Sequence, residues 1–116
     1  MAIKAISDFS PTWFIPDDQA GEKSPAQFKI KQLNGIQAAE VFAELKMIND
    51  VDASLSAEGV RLAIRYCLVG WDGIEGEGGP VVFSQDKLKY LPGHYHPQIA
   101  GAIVSKSNLS EDEAKK

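Results

Sequence analysis

The stretch Ser56-Ala57-Glu58-Gly59-Val60-Arg61-Leu62-Ala63-Ile64-Arg65-Tyr66-Cys67-Leu68-Val69-Gly70 decides the fold. Ser56 offers a hydroxyl cap, and Glu58 sits in the first turn, where an acid faces the positive end of the helix dipole. Ala57, Val60, Ile64, Cys67, Leu68 and Trp71 then form one stripe, while Leu62, Ala63, Tyr66 and Val69 carry apolar surface around most of the circumference. Only Arg61 and Arg65, four apart, mark a wet edge. A helix apolar nearly all round belongs in the middle of a fold, so the pattern predicts a central helix over about 56–69, stopped by Gly70.

Upstream, Asn34 is a helix cap, and Ala38, Val41, Phe42, Leu45 and Ile48 follow on one face of an amphipathic helix over about 35–48. Gln37, Glu40, Glu44 and Lys46 are expected to face water, and Asn49 to Ala53 to end the helix. Gln27-Phe28-Lys29-Ile30-Lys31 alternates polar and apolar residues, which reads as a half-buried strand. Thr12-Trp13-Phe14-Ile15 is a second β-prone cluster, expected to pair with it as a hairpin whose long loop is the polar stretch 17–24.

Downstream, residues 70–80 hold five of the ten glycines and read as a loop. Val81-Val82-Phe83 is extended, Ser84 caps a brief helix to Tyr90 or Leu91, and a final helix carries Tyr95, Ile99, Ala102, Ile103 and Lys106 on one side. Pro97 belongs in its first turn. The predicted class is α+β and mainly α-helical: an N-terminal β-hairpin-like arm, then three to four helices around the central one. The expected organisation is a mobile or strand-forming arm over 1–25, one globular domain over 26–108, and a charged tail over 109–116.

Composition narrows the function. The chain has 116 residues, 44% apolar and 24% charged, with a formal net charge of −4. That length supplies one modest core, burying roughly 65% of the unfolded surface, and no second domain to close a cleft. Net acidity removes the electrostatic drive toward nucleic acid and anionic membranes. No apolar run approaches the roughly 20 residues that span a bilayer, the start lacks a signal-peptide core, and the single Cys67 makes no intrachain disulfide. These features predict a protein of a reducing cytoplasm.

Chemistry is thinly indicated. His94-Tyr95-His96 has metal-like spacing only in an extended strand, since on a helix positions i and i+2 point about 200° apart. The glycine-rich stretch carries Asp72, Glu75 and Glu77 without a lysine or arginine, which opposes phosphate, and its spacing misses the calcium loop. Cys67 lies on the apolar stripe, where a thiol behaves as a small hydrophobe. The sequence therefore predicts no catalytic residue, metal or cofactor. The aromatic clusters Trp13-Phe14-Ile15 and Trp71 are the candidate contacts for a partner or a second copy, against the plainer reading that both tryptophans close the core.

Taken in order, Phe28-Lys29-Ile30-Lys31-Gln32-Leu33-Asn34-Gly35, Gly70-Trp71-Asp72-Gly73-Ile74, Pro80-Val81-Val82-Phe83-Ser84, Leu88-Lys89-Tyr90-Leu91-Pro92 and Asn108-Leu109-Ser110-Glu111-Asp112-Glu113 resemble small phage and prophage proteins encoded near tail genes. The pattern, over about 26–113, looks most like the tail assembly chaperones of long-tailed, non-contractile phages. The resemblance implies a non-enzymatic assembly factor of the host cytoplasm that self-associates, binds the tape-measure protein and helps recruit tail-tube subunits. A C-terminally extended frameshift product is common in that family, and Ala114-Lys115-Lys116 is compatible with a slippery run of adenines. The alternative is a minor tail or head–tail joining component of the virion.

Overall fold

The computed structural model describes residues 2–47 and 53–115. Its first element, β1 (Thr12–Phe14), pairs antiparallel with β2 (Gln27–Ile30) in the register Thr12 to Ile30, Trp13 to Lys29 and Phe14 to Phe28. The hairpin expected from alternation is therefore present, and its loop holds a 3-10 turn at Asp17–Gln19. The segment before β2 is tied to the body of the protein: Pro16 is fully buried, and Gln32 donates its side-chain amide to the Asp8 carbonyl.

Helix α1 (Gly35–Phe42) starts as expected at Asn34, whose side chain accepts from the Gln37 amide at 2.8 Å. Gln37 returns the bond to the Asn34 backbone at 3.1 Å, completing a capping box. The helix ends earlier than the spacing predicted. After Phe42 the chain turns, and Leu45–Met47 (β3) pairs with Ala53–Leu55 (β4), Leu45 opposite Leu55. The period that assigned Leu45 to the helix also fits a short strand, and the cross-strand partner that decides the matter lies ten residues on. The expected position of Ile48 on the helix, and the break over Asn49 to Asp52, fall outside the described residues.

Helix α2 (Ala57–Cys67) begins where the sequence indicated, with Ser56 Oγ accepting from the Gly59 amide at 3.2 Å and donating to Glu44 Oε1 at 2.7 Å. Glu44 is thus engaged with the cap and only partly exposed. The end of α2 corrects the reading of 56–69. Leu68 caps the helix in extended conformation and the chain continues directly as β5 (Leu68–Asp72), antiparallel to β2. Gly70 is not a helix stop but a strand residue opposite Lys29. The all-round apolarity arose from splicing a helix to a strand. Within 57–67, Ala57, Glu58, Arg61 and Arg65 make an exposed face and Ala63, Ile64 and Cys67 a buried one. The helix is still central, packing against α1, β4, β5 and the last helix.

The three-stranded sheet has the order β1-β2-β5, with an irregularity that leaves Val69 unpaired between Leu68 and Gly70. The glycine-rich stretch is no open loop: β6 (Glu75–Gly76) and β7 (Gly79–Pro80) form a small hairpin, with Glu75 opposite Pro80. A 3-10 segment follows at Gln85–Tyr90, where Ser84 makes no side-chain cap bond. Gln85 instead donates to the Ile64 and Leu68 carbonyls, both at 3.2 Å, tying the segment to the junction of α2 and β5.

Helix α3 (Tyr95–Lys115) admits Pro97 in its first turn and buries Ile99, Ala100 and Ile103. Together with Phe28, Ile30, Leu33, Val41, Ala63, Ile64, Cys67, Leu68 and Leu91 they form the hydrophobic core. Ser107 closes its far end, its Oγ accepting from the Leu33 amide and donating to the Ile103 carbonyl, each at 2.9 Å. The whole is an α+β arrangement, with N-terminal strands preceding a helical body.

Candidate interaction surface

The register of the sheet sorts the four aromatic and aliphatic candidates onto opposite faces. Residues directly across a ladder share a face, so Phe14, Phe28 and Trp71 form one row and Trp13, Lys29 and Gly70 the next. Phe28 is completely buried, so the first row faces the core. Phe14 packs against that core, and so does Trp71.

Trp71 is held on three sides. Its ring meets Phe28 edge-on at 6.5 Å and Phe83 edge-on at 5.0 Å, and its Nε1 donates to the Val81 carbonyl at 2.7 Å. A tryptophan with its apolar body enclosed and its polar atom bonded is a core-closing residue.

The second row looks outward. Trp13 is 49% exposed and Ile15, two residues along the same face, 42%. Lys29 lies over the Trp13 ring with Nζ 5.8 Å from its centroid, and Gly70 leaves the third place in the row without a side chain. Toward the N-terminus, Ile3, Ile6 and Phe9 are also exposed. The residues proposed from sequence thus divide: Trp13 and Ile15 are presented together, whereas Phe14 and Trp71 are brought together on the buried side. Ile3, Ile6 and Phe9 were missed. Their spacing of three is a visible signal, but without a strand or helix pattern around it the segment reads as unstructured.

The remaining polar groups serve the scaffold. Tyr95 donates its hydroxyl to Asp18 at 2.7 Å, which ties the hairpin loop to the start of α3 and raises the phenol above its ordinary pKa. His94 lies 3.6 Å from the same carboxylate, and His96 Nε2 is 3.2 Å from the Leu91 carbonyl. The two rings therefore have separate partners. Among the described residues no three His, Cys, Asp or Glu side chains are grouped to hold a metal ion. No helix among them is long and apolar enough to cross a membrane.

Burial pushes the Cys67 thiol up to about 11, against a smaller opposing effect of Lys31. Cys67 is fully buried, so it is expected to resist an aromatic disulfide reagent at pH 8 until the protein is unfolded. The unfolded thiol ionises near its ordinary value, while the folded one stays protonated to about 11. Its contribution to stability is therefore intact below pH ~8.5 and falls as pH rises toward 11. Urea midpoints measured from pH 8 to 11 should show the parent losing its advantage over Cys67→Ala across that window.

Comparison with protein-family models, with curated proteins and with solved structures yields no match.

Proposed function

We propose that this chain is a non-enzymatic phage tail assembly chaperone, acting in the host cytoplasm, which covers apolar surface of the tape-measure protein before tail-tube subunits are added. The observation that carries the reading is the exposed apolar series Ile3, Ile6, Phe9, Trp13 and Ile15, attached to a body with its own closed core. Single exposed apolar residues are ordinary, but a succession along one segment is what marks a contact surface. Trp13 is the natural anchor, because a large rigid ring contributes contact area at low conformational cost. The resemblance of residues 26–113 supplies the identity of the partner, and the surface supplies a means of holding it.

The reading gives a direct prediction. Trp13→Ala combined with Ile15→Ala removes two exposed side chains, so folding stability should change by less than about 1 kcal/mol. Co-expressed with the tape-measure protein, this variant should recover several-fold less soluble tape measure than the parent does. Unchanged recovery with the folded variant contradicts the proposal. Phe14→Ala is the informative contrast: it too should lower recovery, but through loss of stability visible in the denaturation curve.

A further inference from the structure

We propose that residues 2–10 are a strap caught on the body by Gln32, and that release of this catch lets Ile3, Ile6 and Phe9 close over a segment of the tape-measure protein seated on Trp13 and Ile15. The clasping role rests on the chaperone reading; the catch itself does not.

Residues 2–10 form no helix or strand, and among the described residues no backbone hydrogen bond joins them to the rest of the protein. The strap is held instead at Asp8. The Asp8 carbonyl accepts from the Gln32 side-chain amide. Its carboxylate accepts from the Ser10 amide at 2.9 Å and also feels the charge of Lys106 on α3. Exposure falls toward this point: Ile3 is 98% exposed, Ile6 45% and Phe9 38%. The closed strap therefore leaves its end free and keeps two of its three apolar side chains partly covered.

The catch is built to open. Gln32 is only 5% exposed, yet its Oε1 has no hydrogen-bond partner among the described residues. A buried acceptor left unpaired opposes the closed state, and that opposition ends once water reaches it. Opening does not breach the core, because the neighbouring Leu33 amide is held by Ser107 Oγ and the Leu33 side chain belongs to the core cluster. A segment tied through a side chain, with no backbone ladder, opens locally without global unfolding. Freed at Asp8, residues 2–10 reach at most about 30 Å from Pro11. That is enough to pass over an apolar helix, roughly 10–12 Å across, lying on Trp13.

Gln32→Met tests the catch, since it keeps the length of the side chain and removes both the donor and the unpaired acceptor. Chymotrypsin must draw Asp8 and Phe9 into its cleft to cut after Phe9, so the rate of that cut, followed by mass spectrometry, reports the open population. In the purified chain alone, Gln32→Met should be cut there at least about fivefold faster than the parent, with its urea midpoint little changed. Gln32→Leu replaces it, with the same expected result, if circular dichroism shows Gln32→Met misfolded. In a titration with the tape-measure protein the variant should bind tighter by about the same factor, because the parent must first undo the catch. Equal cutting of parent and folded variant overturns the catch. Faster cutting with unchanged or weaker binding overturns the clasp. A parent that binds no tape-measure protein removes the chaperone reading and the clasp together, while the cutting rates still decide the catch.

Discussion

Phe28→Ala is expected to destabilise the protein by about 3–5 kcal/mol, a large part of the roughly 5–15 kcal/mol that holds a domain of this size together. Phe28 is completely buried on the central strand of the sheet, between Phe14 on β1 and Trp71 on β5. Its ring also lies 6.2 Å from that of Tyr95, at the start of α3. Removing it opens a cavity where sheet and helix meet, and none of the enclosing groups is at a free end that can simply collapse inward. Equilibrium unfolding in urea measures the loss. Phe28→Leu, which keeps much of the volume, should cost clearly less; a Phe28→Ala penalty below about 1 kcal/mol contradicts this placement of the core.

Gly73→Ala is expected to cost about 2–4 kcal/mol, from two effects that can be separated. Gly73 has φ +81°, a conformation that costs a residue with a Cβ roughly 1–2 kcal/mol. An added Cβ would also lie 2.9 Å from the Ala26 Cα and 3.3 Å from the Pro25 carbonyl oxygen, both backbone atoms. Relieving that overlap means moving the entry to β2 against the end of β5, at a further cost of about 1–3 kcal/mol. Two other glycines calibrate the terms. Gly21 has φ +92° but open space, so Gly21→Ala should show the conformational cost alone. Gly78 has open space and no positive φ, and its replacement by alanine should be neutral or slightly stabilising. Thermal or urea unfolding of the three variants should rank them 73, 21, 78 in decreasing damage. Equal effects at 73 and 21 would remove the close approach between the two strands.

The glycine at 73 matters because it fixes the register on which the interaction surface depends. Asp72 pairs with Gln27 immediately beside the turn, and from there alternation places Trp71 inward with Phe28 and leaves the Trp13 row outward. A one-residue slip would exchange the faces.

What the sequence reveals and what it conceals follow from the range of the interactions involved. The cap at Asn34, the start of α2 at Ser56 and the alternation over Gln27–Ile30 are all local, and each was legible. The end of α2 was not. Leu68, Val69 and Trp71 satisfy a helical stripe as well as they satisfy a strand, and pairing with β2, some forty residues earlier, decides between them. Gly70 argued for a stop, yet it is tolerated within the strand because the Lys29 side chain lies over it, 3.5 Å from where a Cβ would stand. Leu45 was lost to the same ambiguity across the β3–β4 pairing.

The candidate surface was half legible for a related reason. Four apolar residues were singled out, but adjacent residues on a strand point to opposite faces, so Trp13 and Phe14 could not act together. The sequence already showed Phe28 and Ile30 as the apolar side of β2. What it did not supply was the register joining β1 to them, which alone says which of Trp13 and Phe14 follows Phe28 into the core.

The proposed function rests on the outward residues of the N-terminal segment holding the tape-measure protein. Amide hydrogen exchange of this chain, alone and in complex with the co-purified tape-measure protein, tests it most directly. Residues 3–15 should become protected on binding, with the change centred on Trp13 and Ile15, while amides of α3 over Ile99–Ser107 keep the protection that the core already gives them. A stable complex in which residues 3–15 exchange as they do in the free protein would contradict the account.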